Sequence, residues 1–314
     1  MRKSLGIMLF GVLLLVSQVQ GEEIFSGSTG AALRLKLQGE YKPTTSLSYK
    51  QARNQMFGFV DNEGGEVTCV YTGRKLRTRV IPDPSNMNCE HTWPQSKFEG
   101  SQFAQKMKSD LHHLYVTDSD VNADRGNKPF AEIEDGQTKY WWTVDDEPEE
   151  VIPGSNIDAY SESTPQAFEP KEDHKGNVAR SMFYFFTMYE SQGIQTAWFK
   201  PQIPTLLEWH EQDPADDKEV ARTQAIEELQ GNVNPFVLDP SLAKRAFGEA
   251  GGDGDTEVER SEIAMRDRGP RIRRSRGLAE NEALAPMEAL RRENEELKAV
   301  IADLNREIRR LRSR

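Results

Sequence analysis

Among the five histidines of this 314-residue chain, His91 directly follows a glutamate. Glu90 offers a hard oxygen donor, and His91 an imidazole able to take a proton near neutral pH. Adjacent strand residues point to opposite faces, so the two can serve one site only where a strand ends or bends; Pro94 supplies a reason to stop. Downstream, Asp120, Asp124 and Asn127 are spaced i, i+4, i+7, which predicts that they line one face of a helix. An oxygen-rich face opposite Glu90 suits Mg²⁺ or Mn²⁺ better than zinc. A zinc centre on His91, His112 and His113 is disfavoured, because no HExxH or paired-cysteine spacing accompanies them. His112, His113, His174 and His210 are expected to pack or cap structure.

The elements that must position these groups predict an α+β core. Residues 180–189 (RSMFYFFTMY) are apolar on most faces and predict a core helix, whereas residues 66–71 (EVTCVY) alternate as a strand does, and residues 138–144 (TKYWWTV) suggest a second strand. Residues 49–247 have a globular texture and form the expected catalytic domain, preceded by an extension over residues 22–48. Residues 1–21 carry Arg2 and Lys3 ahead of an apolar run too short to span a bilayer, the pattern of a cleaved signal peptide. No later segment is apolar enough to be transmembrane, so the chain is expected to be secreted or periplasmic. In an oxidising compartment Cys69 and Cys89 are expected to be bridged, closing a loop worth roughly 3 kcal/mol.

Residues 248–279 read as a linker, acidic and then arginine-rich (RDRGPRIRRSR at 266–276). Residues 280–314 read as a coiled coil: Leu290, Leu297, Leu304 and Leu311 recur every seven residues, with Met287, Asn294, Ile301 and Ile308 between them. Asn294 sets the register, and residues 287–311 predict a parallel homodimer. With 51 Asp+Glu against 40 Lys+Arg, the net charge of -11 argues against long-range attraction of a polyanion, leaving binding to local groups and the arginine-rich arm.

Residues 90–96 (EHTWPQS), 110–114 (DLHHL) and 121–130 (VNADRGNKPF) resemble the bacterial endonuclease I family of secreted or periplasmic nucleases, whose core is the His-Me finger or ββα-metal fold. Residues 66–74, 168–189, 206–214 and 226–236 are similar to family segments in the same order. The resemblance implies that His91 is the general base for the attacking water and that Glu90 and Asn127 hold one divalent ion, Mg²⁺ or alternatively Mn²⁺ or Ca²⁺. It further implies cleavage of DNA, with RNA left open, without sequence preference and leaving 5′-phosphates. Two residues depart from the family pattern: Val116 in LYVTD, where proline is usual, and Val233 in QGNVNPF, where arginine is common. The cation that stabilises the transition state is therefore sought among Arg125, Arg222 and Lys106, a structural ion pair being the competing reading of Arg125. A catalytically weak nuclease-fold scaffold dimerised by the coiled coil is the alternative function. A leucine-zipper DNA reader is disfavoured by Gly269, Pro270, Gly277 and Pro286, which interrupt the basic helix it needs.

Overall fold

A computed structural model describes residues 23–145 and 147–248. The signal peptide, residues 249–279 of the linker, and the coiled coil with Asn294 lie outside the described residues.

The chain opens with α1 (Gly30–Tyr41) and α2 (Tyr49–Gln55), the latter running into a π-helical turn at Met56–Val60. Antiparallel β1 (Asn62–Glu63), β2 (Glu66–Thr68) and β3 (Lys75–Arg77) follow. Next comes β4 (Met87–His91), which a 3-10 turn at Gln95–Lys97, α3 (Ala104–Lys108) and a second 3-10 turn at Leu111–His113 connect to β5 (Leu114–Asp118). β5 feeds directly into α4 (Ser119–Arg125). A further antiparallel sheet comprises β6 (Tyr140–Trp142), β7 (Ser161–Ser163) and β8 (Phe168–Glu169). The remainder is helical: α5 (Glu172–Tyr189), α6 (Thr196–Phe199), α7 (Ile203–Gln212), α8 (Asp217–Gln230), α9 (Pro235–Leu238) and α10 (Ser241–Phe247). The described residues are thus a mixed helix and sheet fold, as the α+β expectation held.

α5 is the axis of the core. Val178, Met182, Phe183, Phe185 and Phe186 are all buried, each large side chain contributing about 1.5–3 kcal/mol of transfer free energy. Its apolar residues face α7 on one side and the turn that carries His112 and His113 on another, which is why residues 180–189 are apolar nearly all round. Arg180 anchors the helix to α8 through Glu219, with Nε donating at 2.9 and 2.8 Å to its two carboxylate oxygens. Gly176 permits this approach: a Cβ there would lie 1.9 Å from the Asp213 carbonyl oxygen. The described part of the N-terminal extension belongs to this core as well, since Leu33 and Leu37 of α1 are fully buried in it.

β4 and β5 pair antiparallel from Met87↔Asp118 to His91↔Leu114. Every residue of β5 is buried, so the pair is covered on both faces and rigid. β2 ends at Thr68, short of the strand expected through Tyr71. The Val70 amide still reaches the Val116 carbonyl at 3.0 Å before the chain turns at Gly73, whose φ is 76°.

The expected disulfide is corrected: Cys69 and Cys89 are free, buried thiols. Cys89 is the register partner of Val116 and shares its face, with its thiol 3.8 Å from Met56 Sδ. Cys69 Sγ accepts from the Asp118 amide at 3.1 Å and lies 3.8 Å from Thr117 Oγ1. Val116 and Thr117 point to opposite faces of β5, so the two sulfurs sit on opposite sides of the hairpin. Burial pushes the Cys89 thiol up to about 12, leaving it protonated and unreactive.

Candidate active site

β4 ends where the sequence predicts. Beyond His91, the Thr92 amide makes one more cross-strand bond to the His113 carbonyl (3.0 Å), and Pro94 then caps the 3-10 turn that carries Gln95 and Ser96. Glu90 stands opposite Tyr115 and His91 opposite Leu114, on alternate faces of β4.

Glu90 is 2% exposed, and its Oε1 accepts from the Tyr71 hydroxyl at 2.8 Å and meets Arg125 Nη1 at 3.2 Å. Burial and the neighbouring Glu90 charge hold the Tyr71 phenol well above its ordinary range, so it remains a donor. His91 is 5% exposed. Its Nε2 lies 3.2 Å from the Lys108 carbonyl oxygen and its Nδ1 3.3 Å from Gln95 Nε2. A carbonyl oxygen can only accept, so Nε2 carries the proton and Nδ1 keeps its lone pair. Burial, and next the adjacent His113, hold the imidazole pKa well below 6.5, so His91 is neutral at pH 7. Tyr49 closes the other side, its ring centroid 5.5 Å from that of His91.

Asn127 lies outside the helix the spacing predicts. α4 ends at Arg125, and Gly126 takes a φ of 55° that breaks the i, i+4, i+7 face. Asn127 is exposed and donates through Nδ2 to Ser96 Oγ at 3.3 Å. One short turn thus touches both groups, Gln95 reaching His91 and Ser96 reaching Asn127. Asp124 is spent on structure, accepting from Trp142 Nε1 at 2.8 Å and Ser163 Oγ at 2.5 Å while pairing with Lys128.

Of the three candidate cations, Arg125 takes the competing structural ion-pair reading and Arg222 is engaged by protein groups, while Lys106 has no ion pair among the described residues. Arg125 is 1% exposed, and its Nη1 and Nη2 donate to the carbonyls of His91 (3.1 Å), Gly126 (3.3 Å) and Thr92 (2.7 Å) besides facing Glu90. It is therefore the bracket that ties the end of β4 to the segment entering Asn127. Arg222 pairs with Asp61 at 2.7 Å, donates to the Leu114 carbonyl at 2.5 Å and lies on the Tyr115 ring. Lys106 lines a narrow crevice with Thr45, Ser46 and Asp110.

The other histidines are buried. The Nε2 of His112, His113 and His210 faces the carbonyls of Asn232, Met107 and Pro240 respectively. Burial pushes His112 and His113 down to about 4, and holds His174 well below the ordinary range. Ordinary histidines titrate near pH 6.5, so the unfolded chain takes up protons that the fold refuses until about pH 4. Each such imidazole withdraws stability as the pH falls through that window. In an NMR titration of the five imidazoles, His112 and His113 are expected to keep neutral-ring shifts from pH 8 to 5; a midpoint near 6.5 for either would contradict this account.

Sequence reasoning missed Gln95, Ser96, Tyr49 and the Lys108 carbonyl. Gln95 and Ser96 were within reach, standing in the same EHTWPQS run as His91. A backbone carbonyl from a helix C-terminus leaves no signal in residue identities.

The site thus joins a neutral, desolvated imidazole, whose Nδ1 faces the Gln95 amide, to a buried carboxylate bracketed by arginine. The profile of the Endonuclease I family matches residues 35–241, and the chain belongs to that family, whose members hydrolyse phosphodiester bonds. It is similar to an extracellular ribonuclease of Bacillus amyloliquefaciens, 30% identical over 234 residues covering 69% of this chain and 74% of that protein. It is also similar to a periplasmic deoxyribonuclease of Aeromonas hydrophila, 30% identical over 189 residues, 54% of this chain and 69% of the relative. An extracellular deoxyribonuclease of the same organism is 31% identical over 136 residues, 42% and 50% of the respective chains. Among the described residues no helix is long and apolar enough to cross a membrane.

Proposed function

We propose that this chain is a secreted or periplasmic endonuclease that hydrolyses DNA, and RNA as a second substrate, with one divalent metal ion and without sequence preference. The observation that carries the reading is the Nε2–H tautomer of His91, fixed by the Lys108 carbonyl, which leaves Nδ1 as a base. The relatives named as ribonuclease and deoxyribonuclease support both substrates.

The donor set fits Mg²⁺. Both contacts of Glu90 fall on Oε1, leaving Oε2 for a cation, and Asn127 engages Ser96 through Nδ2, leaving its side-chain oxygen. Arg125 touches both the Glu90 carboxylate and the carbonyl of Gly126, the residue before Asn127, which supports this pairing. Two protein oxygens with the rest supplied by water is the coordination Mg²⁺ favours. When bound, such an ion supplies positive charge to the phosphate oxygens and to the departing 3′ oxygen. In the reaction, the Gln95 amide gives up its contact with His91 Nδ1 to the attacking water, Nδ1 takes that water's proton, and the Lys108 carbonyl accepts more strongly as the imidazole becomes charged. Bond cleavage on the 3′ side leaves a 5′-phosphate. In this reading β4, β5 and α4 are the ββα core, and residues 287–311 pair two copies.

Plasmid DNA and a structured RNA, each incubated with the purified chain, are expected to be cut in Mg²⁺ and left intact in excess chelator, with activity restored by added Mg²⁺. Ends that accept ligation without kinase treatment are expected. Undiminished cutting in chelator overturns the metal-dependent reading.

A further inference from the structure

We propose that Lys108 and Arg53, which lie on the ring of Tyr49 beside His91, are the cations that hold the substrate backbone, Lys108 at the phosphate under attack and Arg53 at its neighbour. This assignment rests on the nuclease reading of the site and names the groups that replace Arg125, Arg222 and Lys106.

The first observation is one of pairing. Arg34, Arg74, Arg125, Arg180, Arg222, Arg245, Lys128 and Lys175 each face a carboxylate. With 51 acidic against 40 basic residues, partners are not scarce. Among the described residues the half-buried Arg53, Lys97, Lys106 and Lys108 nonetheless show no ion pair or side-chain hydrogen bond, and of these Arg53 and Lys108 share the Tyr49 ring beside His91. Arg53 Nε is buried without any acceptor, so no protein group among the described residues claims this guanidinium.

The second is position. Tyr49 and Arg53 stand one turn apart on α2, whose start is fixed by a capping box between Ser48 and Gln51. Arg53 Cζ lies 5.6 Å and Lys108 Nζ 4.5 Å from the Tyr49 ring centroid, itself 5.5 Å from that of His91. A ring face attracts a cation by about 0.5–1 kcal/mol without neutralising it, so each side chain is positioned while its charge stays available. Lys108 is also the residue whose carbonyl fixes His91 Nε2, so the ammonium and the base are held by one backbone segment. A phosphodiester placed between Lys108 and His91 would have its negative oxygens compensated on the side away from Glu90.

The test measures binding of a short DNA duplex in Mg²⁺ across a series of NaCl concentrations, on the His91→Ala background so that the DNA stays whole. Lys108→Gln and Arg53→Gln are each expected to reduce the slope of log affinity against log salt by about 0.9, one phosphate contact each. Lys108→Arg is expected to keep the slope, and Lys36→Gln, an exposed lysine near the N-terminus, to leave it unchanged. With His91 intact, Arg53→Gln is expected mainly to raise KM, and Lys108→Gln to lower kcat on the order of a hundredfold. Thermal unfolding of each variant guards against loss of the fold. Unchanged slopes in folded Lys108→Gln and Arg53→Gln overturn the proposal. If the wild-type chain fails to cut nucleic acid, the nuclease reading falls, while the slopes still decide whether these cations meet phosphate.

Discussion

A His91→Ala variant is expected to cleave DNA and RNA at least 10²-fold more slowly than the wild type, with the fold intact. General bases contribute roughly 10²- to 10⁴-fold, and no second imidazole can take over. His113 is the nearest, its ring centroid 5.3 Å from that of His91, but its Nε2 donates to the Met107 carbonyl at 2.7 Å and it is fully buried. The loss belongs in kcat, because His91 carries no charge toward substrate in the ground state. Stability should fall by about 1–3 kcal/mol, since the buried ring fills space beside Tyr49 and its removal leaves the Lys108 carbonyl without this donor. Steady-state rates on a fluorescent duplex, with a far-UV melt of the same sample, measure both. Cleavage within a fewfold of the wild type would remove His91 from the chemistry.

Arg125→Ala has the largest expected effect on stability, about 3–5 kcal/mol, the usual cost of deleting one member of a buried ion pair. The guanidinium is 1% exposed and the Glu90 carboxylate 2% exposed, so the variant leaves a charge in the interior with only the Tyr71 hydroxyl to bond it. The carbonyls of His91 and Thr92 lose their donors in the same step. Arg125→Lys should recover only part of the loss, because one ammonium cannot reach these carbonyls and the carboxylate in the plane of a guanidinium. Urea unfolding measures the difference. A midpoint shift worth less than about 1 kcal/mol, the range of exposed pairs, would show that the bracket is not structural.

Much of the candidate site was legible because its chemistry is local in sequence. Glu90 and His91 are adjacent, and Pro94 announces the strand end that exposes them. The core helix α5 was legible for a different reason: residues apolar on every face have nowhere to go but inside. What failed depends on direction in space. The periodicity of Asp120, Asp124 and Asn127 assumes a helix that continues, and Gly126 ends it at a φ of 55°. Cys69 and Cys89 are close in sequence and in the fold, yet spacing does not say which face of a hairpin a sulfur occupies. Arg125, Arg222 and Lys106 were chosen by charge and proximity, and charge alone cannot distinguish a bracket that holds carbonyls from a cation awaiting a phosphate. That Arg53 and Lys108 lack partners among the described residues depends on every neighbouring carboxylate, so it exists only once the chain is folded.

In the proposed mechanism His91 is the base, and Glu90 and Asn127 hold the ion. Mn²⁺ binding followed by electron paramagnetic resonance, with cleavage assayed on the same samples, separates the two roles. Asn127 is exposed, so its substitution leaves the interior untouched. His91→Ala is predicted to bind Mn²⁺ as the wild type does and not to cleave; Asn127→Ala is predicted to bind it at least about tenfold more weakly and to lose cleavage in proportion. Wild-type Mn²⁺ affinity in Asn127→Ala, or wild-type cleavage by His91→Ala, would contradict the account.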